Sequence, residues 1–403
     1  MSGARYDVVL YGATGFTGRQ AARYLGVHAP AGLRFAVAGR RRDALEAVRA
    51  ESGAAGVIVA DSADPAAVDA MVAQARVVAS TAGPFARYGS HVVAACARHG
   101  VDYADITGET PWIKTMIERH HAEAAARGTR LVPCCGVDSV PSDLGTLLVV
   151  TELRRRFGQS TRRVSASFRM RGGLNGGTLE SALALQDPAL ARAFADVLLL
   201  NPPGRATPAE RARSADFTGV RWDGARKVWL SPYLMAGTDT RVVRRSNALM
   251  DEYGAGYGEA FAYEEALEHD GRVPALVFAA GTRAAAALFT TRAGAWLVRR
   301  LGPKPGEGPS AETMARGFLR ARLLGEAPDG RRLVATVAAD GDPANRVTVT
   351  ALCESALALA TDRDALPGGP ARGGVLTPAT ALGLPLLRRL EAVGWRVSVA
   401  TVG

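Results

Sequence analysis

The chain has 403 residues, 48% hydrophobic and 22% charged, which excludes a disordered protein and gives length for about two domains. Its formal net charge is +10, but only Lys114, Lys227 and Lys304 are lysines. The arginines are dispersed and no reader motif accompanies them, so nucleic acid is not an expected partner, whereas anionic cofactors, thioesters, carrier proteins or an anionic membrane surface suit the charge.

Cys96, Cys134, Cys135 and Cys353 are too few and scattered for a disulfide framework, and they lack metal-ligand spacing, so no metal is expected. The first residues show no basic stretch followed by an apolar run, and a cytoplasmic protein is expected.

From Asp7 to Arg19 the chain reads DVVLYGATGFTGR. Val8, Val9 and Leu10 suit a strand buried on both faces, and Gly12, Gly15 and Gly18 follow in GxxGxxG spacing before a helix from Phe16 to about Leu25. Glycines let a turn approach a ligand closely, and the start of the helix attracts an anion. A dinucleotide pyrophosphate is the expected guest, cradled by Gly12, Thr14, Gly15, Phe16, Thr17 and Gly18.

A second strand, Arg34 to Arg40, ends in Arg40, Arg41 and Arg42 where an NAD site would carry an acid for the ribose. Arg40 and Arg41 match a 2′-phosphate in charge and geometry, which favours NADP; alternatively they decorate the start of the next helix, with Asp43 as a pairing partner. A helix to about Ala50 and a strand from Gly56 to Ala60 follow. Asp61 then stands where an adenine-contacting or helix-entry residue would sit, and a helix enters at Asp64-Pro65.

Arg76 to Gly83 reads as a fourth strand carrying Ser80, and Gly83-Pro84-Phe85 breaks it where the nicotinamide half would lie. A helix from His91 to His99, a strand from Val101 to Ile106, a helix from Pro111 to about Arg127 and a strand from Thr129 to Cys135 complete a parallel βαβ series.

The runs GATGFTGR at 12–19, GPFARYGSHVVAACARHGVDYADITGE at 83–109 and PCCGVDSVPSDLG at 133–145 resemble the saccharopine dehydrogenase-like oxidoreductases. Within that family the branch of bacterial trans-acting enoyl reductases is the most similar, with RGGLNGGTLESAL at 171–183 and GGVLTPATALGLPLLRRLEAVG at 373–394 in support. The resemblance implies NADPH-dependent reduction of a lipid or polyketide thioester held by a carrier protein or synthase. Ser80 departs from the Asn of many relatives.

The resulting expectation is an α/β chain: an N-terminal Rossmann doubly wound parallel sheet (1–148), an inserted α+β substrate and dimerisation domain (149–350), and a C-terminal return to the first domain (351–403). Strand candidates of the second part are Arg163 to Met170, Lys227 to Leu230, Arg331 to Ala338 and Asn345 to Ala351. A Gly-rich turn at 172–177 leads to a helix from Thr178, and Pro274 to Val298 reads as a buried helix pair or an interfacial helix at the inner face of a membrane. A helix from Thr377 to Val393 and a strand from Trp395 to Val402 close the chain.

Tyr88 and Asp138 are the candidates for polarising a substrate oxygen or delivering a proton. Tyr103 and Asp105 fit core and loop-anchoring roles better. Two other functions remain open at this point: a reductase of imines or secondary amines, and a non-catalytic NADP-binding regulatory or lipid-escort protein.

Overall fold

The computed structural model describes residues 6–173, 187–205, 207–291 and 308–402, with positions 294, 296 and 300 between them. Most of the Gly-rich turn at 172–177, the helix expected from Thr178 and the loop at 301–307 lie outside these residues.

Strands Tyr6–Tyr11 (β1), Phe35–Gly39 (β2), Gly56–Val59 (β3), Ala75–Ser80 (β4), Asp102–Asp105 (β5) and Arg130–Val132 (β6) lie in the order β6-β5-β4-β1-β2-β3, all parallel. Helices Phe16–His28 (α1), Arg42–Ser52 (α2), Pro65–Val72 (α3), Phe85–Tyr88 (α4), Ser90–His99 (α5) and Thr110–Ala126 (α6) connect them. Local chemistry sets these boundaries: Asp64 caps α3 through the N–H groups of Ala66 and Ala67 with Pro65 in the first turn, and left-handed Gly53 and Gly100 end α2 and α5. Strand order reverses beside β1, which pairs with β2 on one side and β4 on the other. In β1, Val8 and Leu10 enter one core layer, and Val9 and Tyr11 enter the other.

Val140–Phe157 (α7) then leaves the first sheet, and a boundary at residue 148 would cut through it. The second part holds Arg163–Arg171 (β7), Pro188–Ala195 (α8), Pro208–Arg213 (α9), Arg221–Asp223 (β8), Val228–Pro232 (β9), Ala236–Glu252 (α10), Ala262–His269 (β10), Arg272–Thr290 (α11), Ala311–Ala315 (α12), Phe318–Glu326 (β11) and Arg332–Asp340 (β12). After them come Thr348–Thr361 (α13), Gly374–Val375 (β13), Pro378–Ala381 (α14), Gly383–Ala392 (α15) and Arg396–Val402 (β14). The second sheet runs β14-β12-β11-β7-β10-β9-β8, antiparallel except between β7 and β10.

Three expectations are corrected. The strand proposed from Asn345 to Ala351 is helical, because Asp342 accepts from the N–H of Asn345 and opens a π turn that runs into α13. The last strand does not join the first sheet; its half-wet alternation places it on the edge of the second, paired with β12. The apolar stretch from Pro274 is no buried helix pair over its described part: α11 turns Ala275 and Ala279 inward and leaves Val273, Leu276 and Val277 exposed. Among the described residues, no helix is long and apolar enough to cross a membrane.

The rest of the C-terminal segment does return to the first sheet. β13 adds to β6 as a parallel edge strand, and α13 packs on β1, β4 and β5. Arg130 fastens this return, for its fully buried guanidinium donates to the carbonyls of Pro367, Gly369, Arg372 and Ala381 at 2.6–3.2 Å. Asp102 beside it accepts from the Arg130 N–H and pairs with Arg363. Arg130→Leu is expected to cost about 3–5 kcal/mol, since it strips four carbonyls, that of Ala381 fully buried, of their donor and Asp102 of a neighbouring charge. Urea unfolding measures this, and a loss below about 1 kcal/mol would show that the segment is held by packing alone.

Candidate functional site at the carboxyl edge of the first sheet

The three glycines of the first turn have different duties. Gly12 has φ +84°, and a Cβ there would lie 2.8 Å from the Ala82 nitrogen, so β1 and β4 approach closely only because it is glycine. A Cβ on Gly18 would run into the Gly12 carbonyl, so Gly18 seats α1 against the turn. Gly15 has φ −72° and ψ 170°, a conformation open to any residue, and its Cβ would meet nothing closer than the Gly12 oxygen at 3.4 Å. Thr81 donates from Oγ1 to the carbonyls of Tyr11 and Gly12, each at 3.2 Å, and fixes the turn from β4. Helix α1 begins with no side-chain cap and no acid in its first turn, while Thr14, Phe16 and Thr17 are half-buried around it. An anion is what this arrangement accepts.

At the end of β2, Arg40 and Arg41 are exposed, and Arg41 is the N-cap position of α2. Neither makes an ion pair among the described residues, with Asp43 or any other acid. Asp61, exposed at the end of β3, accepts from the Ala63 N–H at 3.0 Å and shapes its own turn. Arg40 and Asp61 both lie near the Tyr11 hydroxyl, whose pKa burial raises.

Ser80 is buried and turned inward: its Oγ accepts weakly from the Ala82 N–H at 3.4 Å and lies against the Tyr103 hydroxyl. Gly83 is exposed, Pro84 half-buried and Phe85 buried, with the Phe85 ring 5.9 Å from that of Trp112. The N–H groups of Phe85 and Ala86 donate to the Glu109 carboxylate at 2.8 Å each, tying the break after β4 to the loop after β5. Tyr88 is half-buried beneath the Arg87 guanidinium. Asp105 anchors the loops, accepting from the N–H groups of Thr107 and Cys134 and from the Tyr103 hydroxyl; burial pushes its carboxyl up to about 7.

The second part of the chain closes over this edge. Thr238, in the first turn of α10, donates to the Gly108 carbonyl at 2.9 Å, and Thr348 Oγ1 accepts from the Val137 N–H at 3.2 Å. A Cβ on Gly308 would collide with the Phe16 ring, so Gly308 lies against the first residue of α1. Between these contacts sits a group of acids. Asp138 is half-buried after β6, with burial raising its pKa to about 6; Asp239, on α10, is fully buried and accepts from Ser139 Oγ at 3.0 Å. Glu265 of β10 accepts from the Tyr263 hydroxyl at 2.5 Å, and Tyr233 is half-buried beside both carboxyls with its ring stacked 4.9 Å from Phe168.

The sequence singles out Asp138 of this group but not Tyr233, Asp239 or Glu265. Helix α10 carries Asp239, Arg241, Arg244 and Arg245, and all four are buried. Alternation in AYEEALEH was the available signal for β10. Among the described residues, no group of three His, Cys, Asp or Glu side chains could hold a metal.

A doubly wound parallel sheet with a close-approach glycine turn at its switch point, covered by a second domain across its carboxyl edge, defines a dinucleotide-dependent oxidoreductase. Residues 8–132 match the saccharopine dehydrogenase NADP-binding domain. The whole chain is similar to a Mycobacterium tuberculosis protein grouped with the trans-acting enoyl reductases, 40% identical over 412 residues with 96% of each chain covered. It is similar as well to the trans-acting enoyl reductase of Mycobacterium leprae, 38% identical over 411 residues with 96% of each chain covered. The fold matches saccharopine dehydrogenase (L-Glu forming) from Saccharomyces cerevisiae with a TM-score of 0.58 over 99% of this chain and 100% of that one, at 14% identity. The chain therefore belongs to the saccharopine dehydrogenase-like oxidoreductases, in the branch of the trans-acting enoyl reductases, and its cofactor is NADP.

Gly15→Val is expected to fold with less than about 1 kcal/mol lost, because neither backbone nor neighbours oppose it. NADPH affinity should fall at least about 100-fold, or about 2.7 kcal/mol; unchanged affinity in a fluorescence titration would remove Gly15 from the cradle. Stability should also depend on pH. Asp105, Asp143 and Glu265 have folded pKa values near 7, above those of the unfolded chain, so the folded state binds protons more tightly. Their contribution is full at acid pH and is lost as the pH rises through about 7, so Tm is expected to rise as the pH falls from about 8 to about 6. A flat or opposite trend in thermal melts would mean these carboxylates are stabilised as anions.

Proposed function

We propose that the chain reduces a carbon–carbon double bond conjugated to a thioester, on a lipid or polyketide intermediate presented by a separate synthase or carrier protein. The observation that carries this is the 37–40% identity, across 96% of the chain, to proteins named for that activity. The open space at Gly15 and the unpaired Arg40 and Arg41 support it.

Gly12, Thr14, Gly15, Phe16, Thr17 and Gly18 would hold the pyrophosphate at the start of α1, and Arg40 and Arg41 the 2′-phosphate. Asp61 would line the adenine end, and Gly83, Pro84 and Phe85 the nicotinamide end. Ser80, buried against Ala82 and Tyr103, acts through the shape of the β4 turn instead of direct contact. NADPH, when bound, supplies the hydride. The chain holds the β4 break rigid through Glu109, excludes water by laying α10 over the edge, and presents Tyr88 and Asp138 as donors for the charge that develops on the thioester oxygen. The outward Val273, Leu276 and Val277 of α11 support a peripheral contact with a membrane or synthase.

The test is NADPH oxidation by the purified protein with enoyl thioesters as acceptors. Turnover with NADPH but not NADH is expected, and the double variant Arg40→Ala/Arg41→Ala should weaken NADPH at least about tenfold, or about 1.4 kcal/mol, while sparing NADH. Equal weakening of both would remove the arginines from cofactor choice, and turnover only with imines would overturn the enoyl reading.

A further inference from the structure

Asp239 of α10 and Glu265 of β10 are each 0% exposed, and their carboxyl groups lie against one another. One oxygen of each is engaged: Asp239 Oδ1 accepts from Ser139, and Glu265 Oε1 from Tyr263. The other two, Asp239 Oδ2 and Glu265 Oε2, are buried without a hydrogen-bond partner among the described residues, and the Ser142 hydroxyl lies against the Glu265 carboxyl. The cations nearby are already committed. Arg244 donates to Asp216 and to the carbonyls of Val197 and Tyr263, while Arg241 pairs with Asp216 and donates to the Phe194 carbonyl.

Two touching carboxylates whose neighbouring cation, Arg244, is already bonded to Asp216 cannot both stay ionised in such surroundings, and a single proton shared between them satisfies both. Around the pair stand Asp138, Ser139 and Ser142 at the entrance of α7, Tyr233 after β9, Tyr263 on β10, and Asp216 with Arg244. Asp138 and Tyr233 are half-buried and keep accessible surface, so they are the neighbours through which a proton can leave the buried pair.

We propose that Asp239 and Glu265 share one proton where α10 packs on β10 and that this pair is the proton reservoir for the reduction, delivering through Asp138 or Tyr233. The inference rests on the reductase reading above and assigns it a proton source. In the step, hydride adds to one carbon of the double bond, and a C–H bond forms at the other with a proton from the relay group. The O–H bond of the pair breaks to restore that group, and the dicarboxylate is reprotonated from water. The cofactor is oxidised, the alkene is reduced, and one solvent proton is consumed per turnover. Both partners titrate above the ordinary carboxylate range, burial being the main cause, and Glu265 does so at about 7.

Glu265→Gln keeps the shape and can still donate to Asp239, but it removes the second acid; Asp239→Asn makes the same change from the other side should the first variant fold poorly. Asp105 and Asp143 also titrate near 7, so on raising the pH the wild-type infrared difference spectrum should show loss of protonated carboxylic acid C=O intensity beyond theirs, an extra band that neither variant shows. NADPH affinity should be unchanged, kcat with an enoyl thioester should fall at least about tenfold with KM little altered, and the pH dependence of kcat near neutrality should flatten. An infrared band identical in wild type and variants would overturn the shared proton without reference to any substrate. A band lost in the variants with wild-type kcat and pH profile would overturn the reservoir. Wild-type protein that shows the band but turns over only imines would fail the enoyl reading and leave the pair assigned as the acid of that reaction, provided the variants lose it.

Discussion

A buried charge must find a partner, and helix α10 is governed by that requirement. It carries Asp239, Arg241, Arg244 and Arg245 inside the protein, where an unpaired guanidinium or carboxylate would cost several kcal/mol. The cations are answered from other elements: Arg245 reaches the carbonyls of Leu200 and Val375, Arg244 those of Val197 and Tyr263, and Arg241 and Arg244 share Asp216. Ser246 on the same helix meets Asp143 of α7 and Thr377. These bonds leave little freedom in how the second sheet is placed over the first, and they set Thr238 on the loop after β5. The arrangement of the cleft follows from satisfying the helix.

The carboxyl edge of the first sheet is correspondingly a set of locked turns. Thr81 holds the glycine turn from β4, Glu109 holds the β4 break from the loop after β5, and Asp105 holds the loops after β5 and β6. Such preorganisation means that binding need not also order the site, and ordering entropy would otherwise be subtracted from affinity.

The first sheet was legible in the sequence because its signals are local: an apolar run, a glycine turn, an Asp-Pro helix entry, repeated βα alternation. Gly12, Gly15 and Gly18 are recognisable as a unit, although which of them faces a ligand is decided by Ala82, some seventy residues away. Asp138 stands out in the sequence because it follows a strand end. Asp239 and Glu265 were not, since charged residues on a helix and in a short strand look solvated until the fold buries them. The same limit explains the strand expected at Asn345 to Ala351: its apolar and β-branched residues suit a strand, but the cap from Asp342 and burial against β1 and β4 select a helix.

Arg130 belongs to the first third of the chain, whereas its four carbonyl acceptors lie between Pro367 and Ala381. The nucleotide-binding sheet is therefore a domain by architecture but not by order of synthesis. On a ribosome, the emerging N-terminal portion cannot complete its edge strand, cover its face with α13 or satisfy the Arg130 guanidinium until residues 348–381 have been made. A chain interrupted before Pro367 would carry all six leading strands and still leave that guanidinium without its acceptors.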